Sequence, residues 1–190
     1  MIIVLTGASG SGKTTLMKQL QADIPGAKPL ESYTTRSKRA SDVEGELTYI
    51  SEGEFKKQLD AGEFLWAEKP FNTTYWYGTR RRAVDEALDS GVYIPLLAGT
   101  APKKLFCYAQ EVNKINKVLF LFLYIADQDE LRRRLGEDPS RIDVEKRLAA
   151  AGAENEYAHS SGVPFKIIDA TQSKDAVFEE ALAFIRLLEQ

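Results

Sequence analysis

Four short runs of apolar residues, at 2–6, 92–97, 118–125 and 165–168, each fit a β-strand, and segments with helical signals separate them. That alternation predicts an α/β fold in which helices cover a parallel sheet. The run 118–125, rich in aromatic and β-branched residues, has the pattern of a strand buried on both faces. One helix is expected to start inside Gly12-Lys13-Thr14-Thr15. Another runs from Ser51, where Ser51 and Glu54 make a capping box, Phe55 and Leu59 supply the inner face and Gly62 follows the end. Val177, Ala181, Phe184, Ile185 and Leu188 mark a C-terminal helix that begins near Ser173. Pro95 lies within 92–97 and lacks an amide donor, so that strand is expected to be irregular or to place Pro95 at an edge or bulge.

The stretch 31–79 breaks the alternation. Extended pieces at 64–69 and 74–77 flank a turn at Asn72-Thr73 with only one helix nearby, which predicts an inserted α+β subdomain in a core made of 1–30 and 80–190. A chain of 190 residues suits one such domain. With 44% hydrophobic and 28% charged residues, the composition excludes disorder and fibre. A net charge of −3 argues against a general nucleic-acid binder but leaves room for a local cationic pocket. The single Cys107 and single His159 offer neither an intrachain disulfide nor a structural zinc site, and a cytoplasmic setting is expected. The apolar opening residues are read as a strand, since they reach Gly7 too soon for a leader, and no run has membrane length.

The chemistry is announced by Gly7-Ala8-Ser9-Gly10-Ser11-Gly12-Lys13-Thr14, which satisfies the phosphate-loop pattern G-x-x-x-x-G-K-[ST] between a strand and a helix. Glycines let backbone amides wrap phosphate oxygens, and the helix start adds its positive dipole end. Lys13 is the expected bridge to the terminal phosphates, Thr14 the hydroxyl offered to Mg²⁺, and Thr15 completes the ATP-binding set. A second cluster, Ser32-Tyr33-Thr34-Thr35-Arg36-Ser37-Lys38-Arg39, gathers hydroxyls and three cations and suits a second phosphate.

With these two motifs the chain resembles the guanylate kinases along nearly its whole length. The resemblance also rests on Val43-Glu44-Gly45, Tyr49-Ile50-Ser51, Gly62-Glu63-Phe64-Leu65, Tyr75-Trp76-Tyr77-Gly78-Thr79, Leu131-Arg132-Arg133-Arg134-Leu135 and Lys146-Arg147-Leu148. It implies a three-layer fold of the phosphate-loop NTPase type and Mg²⁺-dependent phosphoryl transfer from ATP to a nucleoside monophosphate, GMP or dGMP. It implies an acceptor site of Ser32, Arg36, Arg39, Tyr49, Tyr77 and Thr79 within the subdomain 31–79. Arg134 and Arg147 match arginines that close over the transferring group, and Arg141 belongs to a lid at about 136–143. The implied partner is a small phosphorylated acceptor, with neither nucleic acid nor membrane, for a monomer or homodimer.

The departures lie at the base-reading positions. Phe64-Leu65 runs straight into Trp66 where the family carries a glutamate, and Glu68 is a poor substitute by alignment. The family's acidic pair at a core strand end is replaced by Leu97-Ala98-Gly99-Thr100. The tyrosine that follows the glycine turn aligns with Leu47 unless Tyr49 takes its place, and Asp42 stands where a glutamate is usual. This pattern also resembles the ribose 1,5-bisphosphate phosphokinases, which leaves a sugar-phosphate kinase as the alternative. A non-catalytic protein-binding module of the same fold is disfavoured by the intact Lys13 and Thr14. Arg80-Arg81-Arg82 reads as a solvated face or phosphate rim rather than an RNA site, and Trp66, Tyr75 and Trp76 read as subdomain core.

Overall fold

The computed structural model describes residues 1–39, 42–70, 73–137 and 143–188. Along the first half of the chain run β1 (Ile2–Gly7), α1 (Lys13–Asp23), β2 (Ala27–Pro29), β3 (Ser32–Thr34), β4 (Leu47–Tyr49), α2 (Glu52–Asp60), β5 (Phe64–Glu68) and β6 (Tyr77–Arg80). The second half continues with α3 (Arg81–Asp89), β7 (Val92–Ile94), α4 (Ala101–Glu111), β8 (Val118–Tyr124), α5 (Gln128–Gly136), α6 (Val144–Ser160), β9 (Lys166–Asp169) and α7 (Lys174–Leu188).

Five strands form a parallel sheet in the order β2-β7-β1-β8-β9. β8 is buried at every residue from Val118 to Leu123 and pairs with β1 from Ile2↔Val118 to Gly7↔Leu123, so its uninterrupted apolar run is the cost-free choice for a strand covered on both sides. Successive residues of β1 serve opposite faces. Ile3 and Leu5 join Leu16, Leu20, Leu135 and Ile185 beneath α1, α5 and α7, while Ile2 and Val4 join Val84, Leu88 and Leu105 beneath α3 and α4. The result is three layers, helix on sheet on helix.

Pro95 ends β7 early. The strand stops at Ile94 between two neighbours rather than at an edge, and beyond it the Pro95 carbonyl accepts from Leu5 N at 3.0 Å while Leu97 N donates to Leu5 O at 3.0 Å. Proline's missing donor is thus accommodated by letting the ladder lapse for one residue.

A second sheet, ordered β4-β3-β6-β5, is mixed: β3 and β4 run parallel, while β6 is antiparallel to both β3 and β5. The extended piece expected at 74–77 begins pairing only at Tyr77 and continues to Arg80. α2 starts as its capping box requires, with Ser51 Oγ accepting from Glu54 N at 3.1 Å. Its fully buried Phe55 stacks on Phe64 at 4.6 Å and on Trp76 at 5.6 Å. Trp66, on β5, packs into the core cluster under α3 and α4, so this sheet is seated on the larger one. Tyr75 differs from the expectation of core: it is 44% exposed, because it stands at the mouth of a cavity.

Candidate active site

The chain leaves β1 at Gly7 and enters α1 at Lys13, so the loop between them lies at the carboxyl end of a central strand. Gly7 has φ +127°, and a Cβ there would lie 2.4 Å from Leu123 O, so only glycine lets the loop leave β1 while β8 is paired alongside. Lys13 Nζ folds back onto the loop, donating to Gly7 O at 2.5 Å and Ala8 O at 2.8 Å. Ser9 to Thr15 line a cavity of about 610 Å³, with Arg133, Arg134 and Lys174 on its other walls. Gly7 and Ala8 contribute carbonyls to Lys13 rather than lining; Ala8 is 1% exposed. Ser11 Oγ is buried without a partner, a hydroxyl held in reserve inside the loop. Arg134 Nε donates to Glu130 Oε1 at 2.6 Å, and hydrogen bonds from Arg133 and Arg134 hold the Glu130 carboxyl down at about 2.

A second cavity, of about 560 Å³, opens between the two sheets. Ser32, Arg36, Arg39, Tyr77 and Arg147 line it, and Ser9, Lys13, Arg36, Arg39 and Glu46 line both cavities. Arg147, from α6, reaches across to donate to Ser9 Oγ at 2.8 Å. Thr79 is fully buried and its hydroxyl meets that of Ser32 at 2.7 Å. Tyr49 does not line the cavity. Its hydroxyl donates to Asp42 Oδ2 at 2.5 Å, and Asp42 also receives Arg36 through both Nη atoms and the Arg39 amide. Burial pushes Asp42 up, but the Arg36, Tyr49 and Arg39 hydrogen bonds outweigh it and hold the carboxyl at about 2. Burial and the Asp42 hydrogen bond together push Tyr49 up to about 12. Arg141, and most of the lid expected at 136–143, lie outside the described residues; Gly136 closes α5 and Asp143 precedes α6.

Three residues at this site were not singled out by sequence. Asp42 stands in the sequence only as a departure from the family pattern, and its role comes from its contacts with Arg36, Tyr49 and the Arg39 amide. Glu46 lines both cavities, with burial raising its carboxyl against the Val43 amide. Glu154, one face-repeat along α6 from Arg147, lines the second cavity, where burial pushes it up to about 7 against the opposing pull of Lys13.

Glu68 lines the second cavity with both carboxylate oxygens bound within the protein. Its Oε2 accepts from Thr100 N at 3.1 Å and from the Thr100 hydroxyl at 2.5 Å, and its Oε1 accepts from Ala101 N at 2.9 Å. The basic run is likewise occupied internally: Arg80 lies over Tyr33, Arg81 over Tyr108, and Arg82 pairs with Glu86. Asp127 caps α5 through the Asp129 and Glu130 amides, and Asp169 holds the turn at Thr171. Cys107 is exposed on α4, and His159 packs edge-on to Tyr124.

Among the described residues no helix is long and apolar enough to cross a membrane. The guanylate kinase family model matches residues 1–177. A guanylate kinase of Protochlamydia amoebophila is 33% identical over 160 residues, covering 83% of this chain and 77% of the relative. One from Helicobacter pylori is 30% identical over 197 residues, covering 98% and 89%. In fold, the chain is similar to the crystal structure of guanylate kinase from Anaplasma phagocytophilum, with TM-score 0.66 at 21% identity over 100% of this chain and 84% of that one. With a phosphate loop facing a cationic cavity and a family match that spans the strands and helices building both, the chain belongs to the guanylate kinase family.

Proposed function

We propose that this protein transfers the terminal phosphoryl group of ATP to a nucleoside monophosphate, GMP or dGMP, giving the diphosphate. The observation that carries this reading is the junction of the two cavities at Ser9, Lys13, Arg36, Arg39 and Glu46. Three cations at one junction suit the meeting of a donor and an acceptor phosphate. In-line transfer makes a bond from an acceptor phosphate oxygen to the γ-phosphorus as the bond to the bridging oxygen of ADP breaks, and it demands positioning and charge stabilisation rather than covalent help.

The donor phosphates belong in the loop Gly7 to Thr15, with Lys13 swinging from its own carbonyls to the β- and γ-oxygens. Arg134 and Arg147 flank the junction from α5 and α6 and supply positive charge to the transferring group. On the acceptor side Arg36, Arg39 and Tyr77 hold the phosphate, Tyr49 supports them through Asp42, and the Ser32–Thr79 hydroxyl pair lies beyond. Thr14, which lines the donor cavity, would offer its hydroxyl to a magnesium ion. Bound there, magnesium would neutralise charge on the phosphates. Arg141, outside the described residues, belongs by family resemblance to the lid segment.

The test is a coupled kinase assay with ATP and Mg²⁺ across GMP, dGMP, AMP, UMP and ribose 1,5-bisphosphate. Turnover of GMP or dGMP is expected. Turnover of the sugar bisphosphate alone would replace the nucleotide reading.

A further inference from the structure

Part of the acceptor cavity lining is apolar. Leu30, Trp66, Leu96, Leu97, Ala98 and Ala101 form its apolar lining, and Ser32, Thr73, Thr74, Tyr75 and Tyr77 are among its polar lining. Four described acids line the cavity; three are Glu46, Glu154 and Asp143, the last lying 3.8 Å from Lys146. The fourth is Glu68, and both its oxygens are bound to the first turn of α4.

This attachment is built on both sides. A carboxylate bonded to amides at a helix start complements the helix dipole and satisfies donors that have no partner within the helix. α4 lacks a capping side chain of its own, since Thr100 makes no such bond. Gly99, with φ +62°, has no Cβ where one would lie 2.7 Å from Glu68 Oε1 and 3.1 Å from Pro70 Cβ, so the approach depends on glycine. The Ser32 hydroxyl, on the cavity lining, already bonds that of Thr79.

We propose that Glu68 determines acceptor specificity by being withdrawn: it fastens β5 of the acceptor sheet to α4 of the core, and the base end of the cavity is left without a carboxylate. This rests on the nucleoside monophosphate kinase reading. The Watson–Crick edge of guanine presents two adjacent donors, N1–H and the 2-amino group, which a carboxylate matches and an apolar wall does not. Hypoxanthine lacks the 2-amino group, and adenine presents an acceptor at N1. A wall of Leu, Ala and Trp side chains therefore selects a purine by shape and stacking. Sites that hydrogen-bond an edge can reject an analogue by about 10⁴–10⁵, whereas apolar pockets manage about 10².

Steady-state kcat/KM for GMP, IMP and AMP, measured on the wild type, Glu68→Gln, Glu68→Ala and Gly99→Ala alongside their Tm values, tests this. The expected wild-type spread is under about 100-fold. Glu68→Ala and Gly99→Ala should lower Tm by about 4–8 °C while leaving the GMP to AMP ratio within about 3-fold, because a fastener is lost and no reader is. A wild-type preference for GMP above about 10³, or a Glu68→Gln variant that keeps its Tm and loses GMP selectivity tenfold, would overturn the proposal. Glu68→Gln keeps one accepting oxygen, so it remains informative should the alanine variant not fold. If the wild type phosphorylates no monophosphate at all, the kinase reading fails, and the Tm shifts still report whether Glu68 is the fastener.

Discussion

Arg36 and Asp42 meet side by side, Nη1 to Oδ2 at 2.8 Å and Nη2 to Oδ1 at 2.7 Å, with both side chains more than nine-tenths buried. Asp42 presents to Arg36 the same planar pair of oxygens that a phosphate would, and it gathers Tyr49 and the Arg39 amide as well. It therefore fixes the direction of the cationic cluster before an acceptor arrives. Removing one partner of a buried pair typically costs about 3–5 kcal/mol. Asp42→Asn is expected to lower Tm and raise the acceptor KM about tenfold or more, with the KM for ATP little changed and Asp42→Glu restoring part of the loss. Because folding holds Asp42 at about 2 against 3.8 ordinarily, its contribution is fully present above pH 3.8 and is lost as pH falls toward 2. Acid unfolding should accordingly be less steep over that window in the asparagine variant.

Lys13→Ala should leave the fold intact and reduce kcat by about 10²–10³, the usual effect of deleting one preorganised electrostatic donor. Circular dichroism and steady-state turnover check the two halves. Undiminished turnover in a folded variant would contradict the role given to the loop.

Arg39 lines both cavities, yet its tether to Asp42 runs through the backbone. Arg39→Ala should therefore spare stability, unlike Arg36→Ala, while raising the acceptor KM. Parallel thermal melts and kinetics of the two variants show whether one arginine is structural as well as binding and the other binding alone.

Glu154 gives the opposite pH signature to Asp42. Burial raises its carboxyl to about 7 from 4.5, so below 4.5 it is protonated in both folded and unfolded chains and has no effect on stability. Between 4.5 and 7 the folded chain holds the extra proton, and stability declines as pH rises, by up to about 3 kcal/mol, levelling off above 7. Glu154→Gln removes this slope. Its Tm should exceed that of the wild type at pH 8 and differ little at pH 4.5; equal Tm profiles would show that Glu154 is solvated.

How legible the protein is depends on the range of the interaction concerned. The β8 run and the Ser51 cap of α2 could be read because their causes lie within a few residues. β2, β3 and β4 have three residues each, with no apolar run or alternation to reveal them, and only pairing, of β2 with β7, β3 with β6 and β4 with β3, makes them strands. Pro95 was a recognisable irregularity, but whether it sat at an edge depended on strand order.

The same division runs through the site. Gly7 to Thr14 is legible because a strand end, a glycine turn and a helix start are consecutive in the chain. The sequence by itself therefore determined the phosphate loop, the parallel core and the cationic segment from Ser32 to Arg39. The tertiary structure decided where each charge is used. Glu68 and Thr100 are 32 positions apart, and Arg147 and Ser9 are 138 apart, and nothing local distinguishes a carboxylate that reads a ligand from one that caps a helix. That choice follows from which donors the folded chain leaves unpaired, and those are known only once the two sheets have been packed together.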